Sequence, residues 1–186
     1  MRPGEVRIIG GQWKRSKLSV PDLPGLRPTP DRVRETLFNW LGSELEGWVC
    51  VDVFAGTGVL GLECASRGAQ TVHLFETQAK LVENMSRMVE KFHANQVRVK
   101  KGDGVSLLKG MPIASVDLVL IDPPFELDLW MSALSASVGP LKPGGLVYLE
   151  SPKPWDNDAL KDLGLEIYKT MKAGTVHAHL IVKNTS

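Results

Sequence analysis

An acid, two prolines and an aromatic residue stand in a row at Asp122-Pro123-Pro124-Phe125. They follow the apolar run Val116–Ile121, which reads as a buried strand. Asp122 can accept one hydrogen of an exocyclic amine, and the Pro123 carbonyl can accept another. Phe125 offers a face on which a planar base can stack. An exocyclic amine is a poor nucleophile because its lone pair is delocalised into the ring. Hydrogen bonds that favour a tetrahedral nitrogen stabilise the transition state of attack more than the ground state. The chemistry these four residues suit is methylation of a base nitrogen. A ring-carbon route would need a cysteine nucleophile after a proline, and no Cys follows a Pro in this chain.

A methyl donor needs a second group of residues. Val51-Asp52-Val53-Phe54-Ala55-Gly56-Thr57-Gly58-Val59-Leu60-Gly61 reads as a strand, a glycine turn and a helix start. Alone, this pattern would suit NAD equally. Glu76 ends the next strand, where a carboxylate can hold ribose hydroxyls in either kind of enzyme. Asp52 discriminates, because an acid just before the glycine turn would repel a pyrophosphate and welcome an ammonium. Asp103, followed by Gly104, is placed to accept from an adenine amine. An ammonium, a ribose and an adenine together describe S-adenosylmethionine. The cofactor-binding set is therefore Asp52, Phe54, Gly56, Thr57, Gly58, Glu76, Asp103 and Gly104. The chemistry requires no metal. His177 and His179 share one face of a late strand, read as solvated.

These residues need a scaffold that brings strand ends together. From Trp48 onward, strand candidates at 48–53, 71–75, 97–100, 116–121, 145–149, 165–171 and 176–182 alternate with helical segments at 59–67, 78–93, 104–109, 127–138 and 156–162. Nearly continuous apolar strands are those of a parallel sheet covered on both faces. The fold class is α/β, a doubly wound Rossmann-like sheet. Only Lys172-Ala173-Gly174 and Thr175 separate the last two strands, so they form an antiparallel C-terminal hairpin. Upstream, Val6–Ile9 and Lys17–Val20 predict a small N-terminal β-hairpin, with Pro21 to Pro28 as a linker. Thr29 is the expected N-cap of a helix with Pro30 at its first position, running to about Gly42. The expected division is a basic arm over 1–28 and a catalytic domain over 29–186.

The 186 residues suffice for one such domain with an extension, and the start of the chain shows no apolar signal core. Cys50 and Cys64 lie in apolar surroundings, as reduced core residues of a cytoplasmic protein do. The net charge of +1 conceals an asymmetry: residues 1–34 carry eight Lys/Arg against three acids. Such an arm either meets a polyanion or is simply a solvated basic surface.

The motifs resemble amino-methyltransferases with an Asn/Asp/Ser-Pro-Pro-aromatic sequence, and more closely the RsmD family. That likeness is carried by Arg7-Ile8-Ile9-Gly10-Gly11 with Trp13-Lys14, by Leu26-Arg27-Pro28-Thr29-Pro30-Asp31-Arg32-Val33-Arg34-Glu35-Thr36-Leu37-Phe38-Asn39-Trp40-Leu41, and by Asp52 to Glu63. The resemblance implies methylation of a guanine N2 in 16S ribosomal RNA of an assembled or nearly assembled small subunit. It also implies that the segment from Thr29 to Phe38 closes over the cofactor. RNA contacts are expected at Arg7, Trp13, Lys14, Arg15, Lys17, Arg32 and Arg34, with Trp13 either stacking on a base or packing in the hairpin. Arg32 and Arg34 could face cofactor, phosphate or Glu35. Competing readings are a DNA or other RNA amino-methyltransferase acting on adenine N6 or cytosine N4, an NAD-dependent oxidoreductase, and a non-catalytic RNA-binding assembly factor. The enzyme is expected to be a monomer.

Overall fold

The computed structural model describes residues 4–23, 26 and 29–185. The Arg27-Pro28 part of the family pattern and most of the linker's tip lie outside the described residues. Strands β1 (Glu5–Arg7) and β2 (Lys17–Ser19) pair antiparallel as a separate two-stranded sheet. Helix α1 (Asp31–Leu41) follows, with Val33, Leu37 and Phe38 on its buried face. Thr29 does not cap it: the residue before the helix is Pro30, and no side chain caps the first turn. The Thr29 hydroxyl is engaged elsewhere, as described below.

The main body is a seven-stranded sheet in the order β5-β4-β3-β6-β7-β9-β8. Its strands are β3 (Val49–Asp52), β4 (Thr71–Glu76), β5 (Val97–Lys101), β6 (Val116–Ile121), β7 (Leu141–Ser151), β8 (Leu165–Ala173) and β9 (Val176–Lys183). Strands β3 to β7 run parallel, and β9 pairs antiparallel with both β7 and β8. Helices α2 (Val59–Ser66), α3 (Ala79–Lys91), α4 (Gly104–Lys109), α5 (Trp130–Val138) and the short α6 (Asn157–Leu160) lie between strands. Alternate residues point to opposite faces, so two cores form. Cys50, Leu118, Leu120 and Tyr148 meet α1, α2 and α3 on one face. Val51, Val119, Ile121, Val147 and Leu149 meet α4 and α5 on the other. Strand β7 begins earlier than its apolar run suggests, because Leu141 pairs with Val116 across an irregular register around Gly144.

Helix α2 is buried at every position. A crossover helix ordinarily shows one face to water. Here the N-terminal segment covers that face. Gly10 and Gly11 press on its last turn, where a Cβ on Gly11 would lie 1.9 Å from the Ser66 carbonyl oxygen. Ser66 Oγ donates to the Gly10 carbonyl (2.6 Å), and the Gln12 amide donates to the Ser66 carbonyl (2.8 Å). Beneath them Glu63, fully buried, accepts from the Ile9 and Gly10 amides at 2.9 and 2.7 Å. Strand β2 is tied to α3 through Ser19 and Asn84. One expectation fails at the other end of the chain: His179 is buried, not solvated, and its Nε2 accepts from the Trp155 amide. The segment after β7 folds back over that strand, which an alternating pattern cannot reveal.

Candidate active site at the carboxyl ends of the central strands

Strands β3 and β6 are neighbours at the point where the strand order reverses. Crossovers leave these two strands in opposite directions, so a crevice opens at their carboxyl ends. Asp52 ends β3, Asp122 follows β6 directly, and Glu150 is the penultimate residue of β7. The fold thus gathers acids that lie far apart in sequence.

The glycine turn has the backbone its composition predicts. Gly56 and Gly58 have φ of +53° and +77°, where side chains are strained. A Cβ on Gly58 would sit 2.9 Å from Met85 Sδ. The Gly56 amide donates to Glu76 Oε2 (2.9 Å), and the Gln78 amide donates to Oε1 (2.9 Å). Glu76 therefore holds the turn against the end of β4 while remaining partly open to solvent. Gly104 packs so closely that a Cβ would fall 1.9 Å from the Val53 carbonyl oxygen. Asp103 caps α4, accepting from the Ser106 amide (2.8 Å), and its bonds with Ser106 hold its carboxyl below the ordinary range. Phe54 is half-buried, and Thr57 is buried beneath the turn. Leu26 lies over Gly56, with a methyl 3.4 Å from where a Cβ would be.

Asp52 is 2% exposed and accepts from the Gly61 amide (3.2 Å). Burial pushes its carboxyl up to about 7, with Glu76 and Glu150 adding to the effect. The Thr29 hydroxyl donates to Asp122 Oδ2 at 3.4 Å. Burial, then Glu150 and Asp52, push the Asp122 carboxyl well above the carboxylate range. Pro123 is buried and Pro124 exposed. Phe125 is 37% exposed and leans on Trp130, with ring centroids 5.7 Å apart. Trp130 Nε1 donates to the Glu150 carbonyl (2.7 Å), fastening this loop to β7.

Glu150 and Tyr148 were not among the residues expected at the site, and Thr29 was expected there only as part of the segment closing over the cofactor, not as a partner of Asp122. Glu150 is 4% exposed, and Tyr148 Oη donates to its Oε1 at 2.8 Å. Burial raises the Glu150 carboxyl, and the bond from Tyr148 opposes that rise. The signal was available: Glu150 ends the apolar run Leu146–Leu149, as Asp52 and Glu76 end theirs.

The expected RNA-facing residues divide. Lys14, Arg15, Lys17, Arg7 and Arg32 are exposed. Arg7 pairs with Asp31 at 2.7 Å and Lys17 with Glu5 at 3.0 Å, both cations keeping more than half their surface. Arg7, Lys14 and Arg15 line a cleft with Ile8, Ile9 and Glu35. Arg34 is a correction. It is fully buried and cannot reach RNA; its guanidinium binds Asp31, Glu63 and the carbonyls of Arg7 and Thr29. Burial lowers its pKa, and the two carboxylates counter that. Trp13 is also corrected toward packing, for its ring stacks on Phe92 at 5.1 Å and 14°.

This sheet order, with a glycine turn after β3 and an acid-Pro-Pro-aromatic loop after β6, defines a Rossmann-like methyltransferase fold. The family model described as conserved hypothetical protein 95 matches residues 6–182. The ribosomal RNA small subunit methyltransferase D of Escherichia coli (strain K12) is 43% identical over 152 residues, covering 80% of this chain and 75% of that protein. Its namesake in Haemophilus influenzae is 40% identical over 157 residues, covering 81% and 80%. The solved structure of the Escherichia coli protein yhhF matches with a TM-score of 0.85 at 34% identity, over 98% of this chain and 100% of that one. The chain belongs to this family, the RsmD family.

Proposed function

We propose that this chain transfers the methyl group of S-adenosylmethionine to the exocyclic N2 of a guanine in 16S ribosomal RNA. Its substrate is an assembled small subunit, and it acts as a monomer in the cytoplasm. One observation carries the reading: the Asp122-to-Phe125 loop leaves β6 beside the glycine turn of β3. The names of the relatives supply small-subunit ribosomal RNA as the acceptor. Guanine and its N2 come from the family resemblance.

The donor set fits the cofactor. Asp52 is buried without a cation among the described residues and would face the ammonium. Glu76 would hold the ribose hydroxyls, and Asp103 the adenine amine. Phe54, Gly56, Thr57, Gly58 and Gly104 would line the cofactor's place between these acids. When bound, S-adenosylmethionine supplies an electrophilic methyl on its sulfonium. Asp122 and the Pro123 carbonyl accept the amine hydrogens and turn the lone pair toward that methyl. Phe125 sets the plane of the base, and positioning supplies most of the rate. The arm over 1–28 contributes RNA contacts through Arg7, Lys14, Arg15 and Lys17, with Arg32 beside them, while 29–186 is the catalytic domain. Phosphates suit the exposed cations of the cleft.

The test is methyl transfer from labelled S-adenosylmethionine to small subunits from cells lacking this gene, followed by nucleoside analysis. Labelled N2-methylguanosine at one site, lost in Asp122→Ala, is the expected result. Labelled N6-methyladenine or N4-methylcytosine instead would overturn the choice of base. An assembly factor without catalysis would leave every nucleoside unlabelled.

A further inference from the structure

Among the described residues, Glu150 and Tyr148 are buried on the face of β7 that meets Asp122, and the proposed reaction assigns them nothing. Leu120 pairs with Tyr148 and Ile121 with Leu149, so Asp122 and Glu150 stand side by side where β6 and β7 end, and the Thr29 hydroxyl donates to Asp122 Oδ2 (3.4 Å). Tyr148 Oη donates to Glu150 at 2.8 Å, and among the described residues no comparably short donor reaches Asp122. Glu150 is buried and Asp122 half-buried beside it, and two carboxyls placed so cannot both stay ionised cheaply.

We infer, on the footing of the proposed reaction, that Glu150 is a positioning residue for Asp122: the two carboxyls hold one proton between them, and Tyr148 with Thr29 decides which carries it. With Tyr148 bonded to Glu150, the anion rests on Glu150 and the proton on Asp122. Asp122 becomes the acceptor of the substrate amine when that proton passes to Glu150 or, as pH rises, to solvent. Burial raises both carboxyls above the ordinary range and Glu150 raises Asp122 further, which agrees with this arrangement. Asp52 faces the pair from β3, with Glu76 behind it on β4. Arg34 on α1 touches the Thr29 carbonyl but is occupied by Asp31 and Glu63. His179 on β9 pairs in register with Leu149 and so lies on the opposite face from Glu150.

The experiment measures single-turnover methyl transfer to small subunits against pH for the unaltered protein, Glu150→Gln and Tyr148→Phe. Glu150→Gln removes the repelling charge, and Tyr148→Phe moves the shared proton onto Glu150. Both should displace the acid limb of the profile to lower pH, so that each variant keeps a several-fold larger share of its own plateau rate at the acid end. A limb that stays in place in both variants, with only plateau rate or thermal stability lowered, overturns the inference and makes Glu150 structural. Asp122→Asn with an undiminished rate would instead overturn the reading of Asp122 on which this one stands.

Discussion

Glu63→Gln should loosen the N-terminal arm and cost much of the molecule's stability. The carboxylate is fully buried and meets four donors: the amides of Ile9 and Gly10, Arg34 Nη1 at 3.3 Å and Arg67 Nε at 3.2 Å. An amide in its place keeps the volume but loses the charge, and turns an NH₂ toward groups that are themselves donors. Breaking a buried ion pair from one side costs about 3–5 kcal/mol. That is a large part of a typical total of roughly 5–15 kcal/mol. With a urea slope of about 2 kcal/mol per M, the midpoint should fall by roughly 2 M. The control is Glu83→Gln, whose partner Arg87 is exposed at the i,i+4 position on α3. Such pairs contribute only about 0.3–0.5 kcal/mol. Urea titration by circular dichroism measures both, and hydrogen exchange at the Ile9 and Gly10 amides locates the change. Equal midpoints for the two variants, or unaltered exchange at those amides, would refute the idea that Glu63 fastens the arm.

Asp122→Asn should lower turnover by roughly 10²–10³-fold, by analogy with losing one oxyanion-hole contact, and a single-turnover assay measures it. Replacing Lys14, Arg15 and Lys17 together with Ala should weaken binding to small subunits and flatten the dependence of affinity on salt; an unchanged slope would count against the arm. Gly104→Ala should abolish tight S-adenosylhomocysteine binding in calorimetry, because its Cβ would meet the Val53 carbonyl at 1.9 Å. For Asp52 the pKa is raised on folding, from 3.8 to about 7, so its contribution to stability is present below the lower value and lost as pH rises through the upper. The stability gained by Asp52→Asn should therefore grow between about pH 4 and pH 7 and level off above that in denaturant titrations.

The features legible in sequence are those written within a few residues of one another. Gly56 and Gly58 announce their left-handed turn, and the alternation and length of the strands give the parallel sheet and the closing hairpin. The carboxyl-end rule then places Asp52, Glu76 and Asp122 around one crevice. What the sequence conceals depends on distant partners. Arg34 sits among polar neighbours and reads as a surface cation, until α1 lays it against Glu63, 29 residues on. Glu63 itself answers to amides 53 and 54 residues away. Thr29 has the composition of a cap, yet its hydroxyl serves a carboxylate 93 residues downstream. Tertiary contact outweighs local preference at each of these positions.

The chain buries charge in two ways, and the difference separates scaffold from site. Around Glu63, every carboxylate oxygen meets a donor, and two of those donors are guanidinium groups. Such a set is matched within the fold, so it rigidifies without asking for anything else. Asp52, Asp122 and Glu150 are different: among the described residues no lysine or arginine pairs with them, and their donors are amides and hydroxyls. Acids buried this way retain protons or are met by positive charge brought from outside. Stability alone would favour replacing them with apolar residues. Three acids without a cation partner among the described residues, at the ends of three adjacent strands beside the glycine turn, are therefore the residues the proposed reaction would draw on.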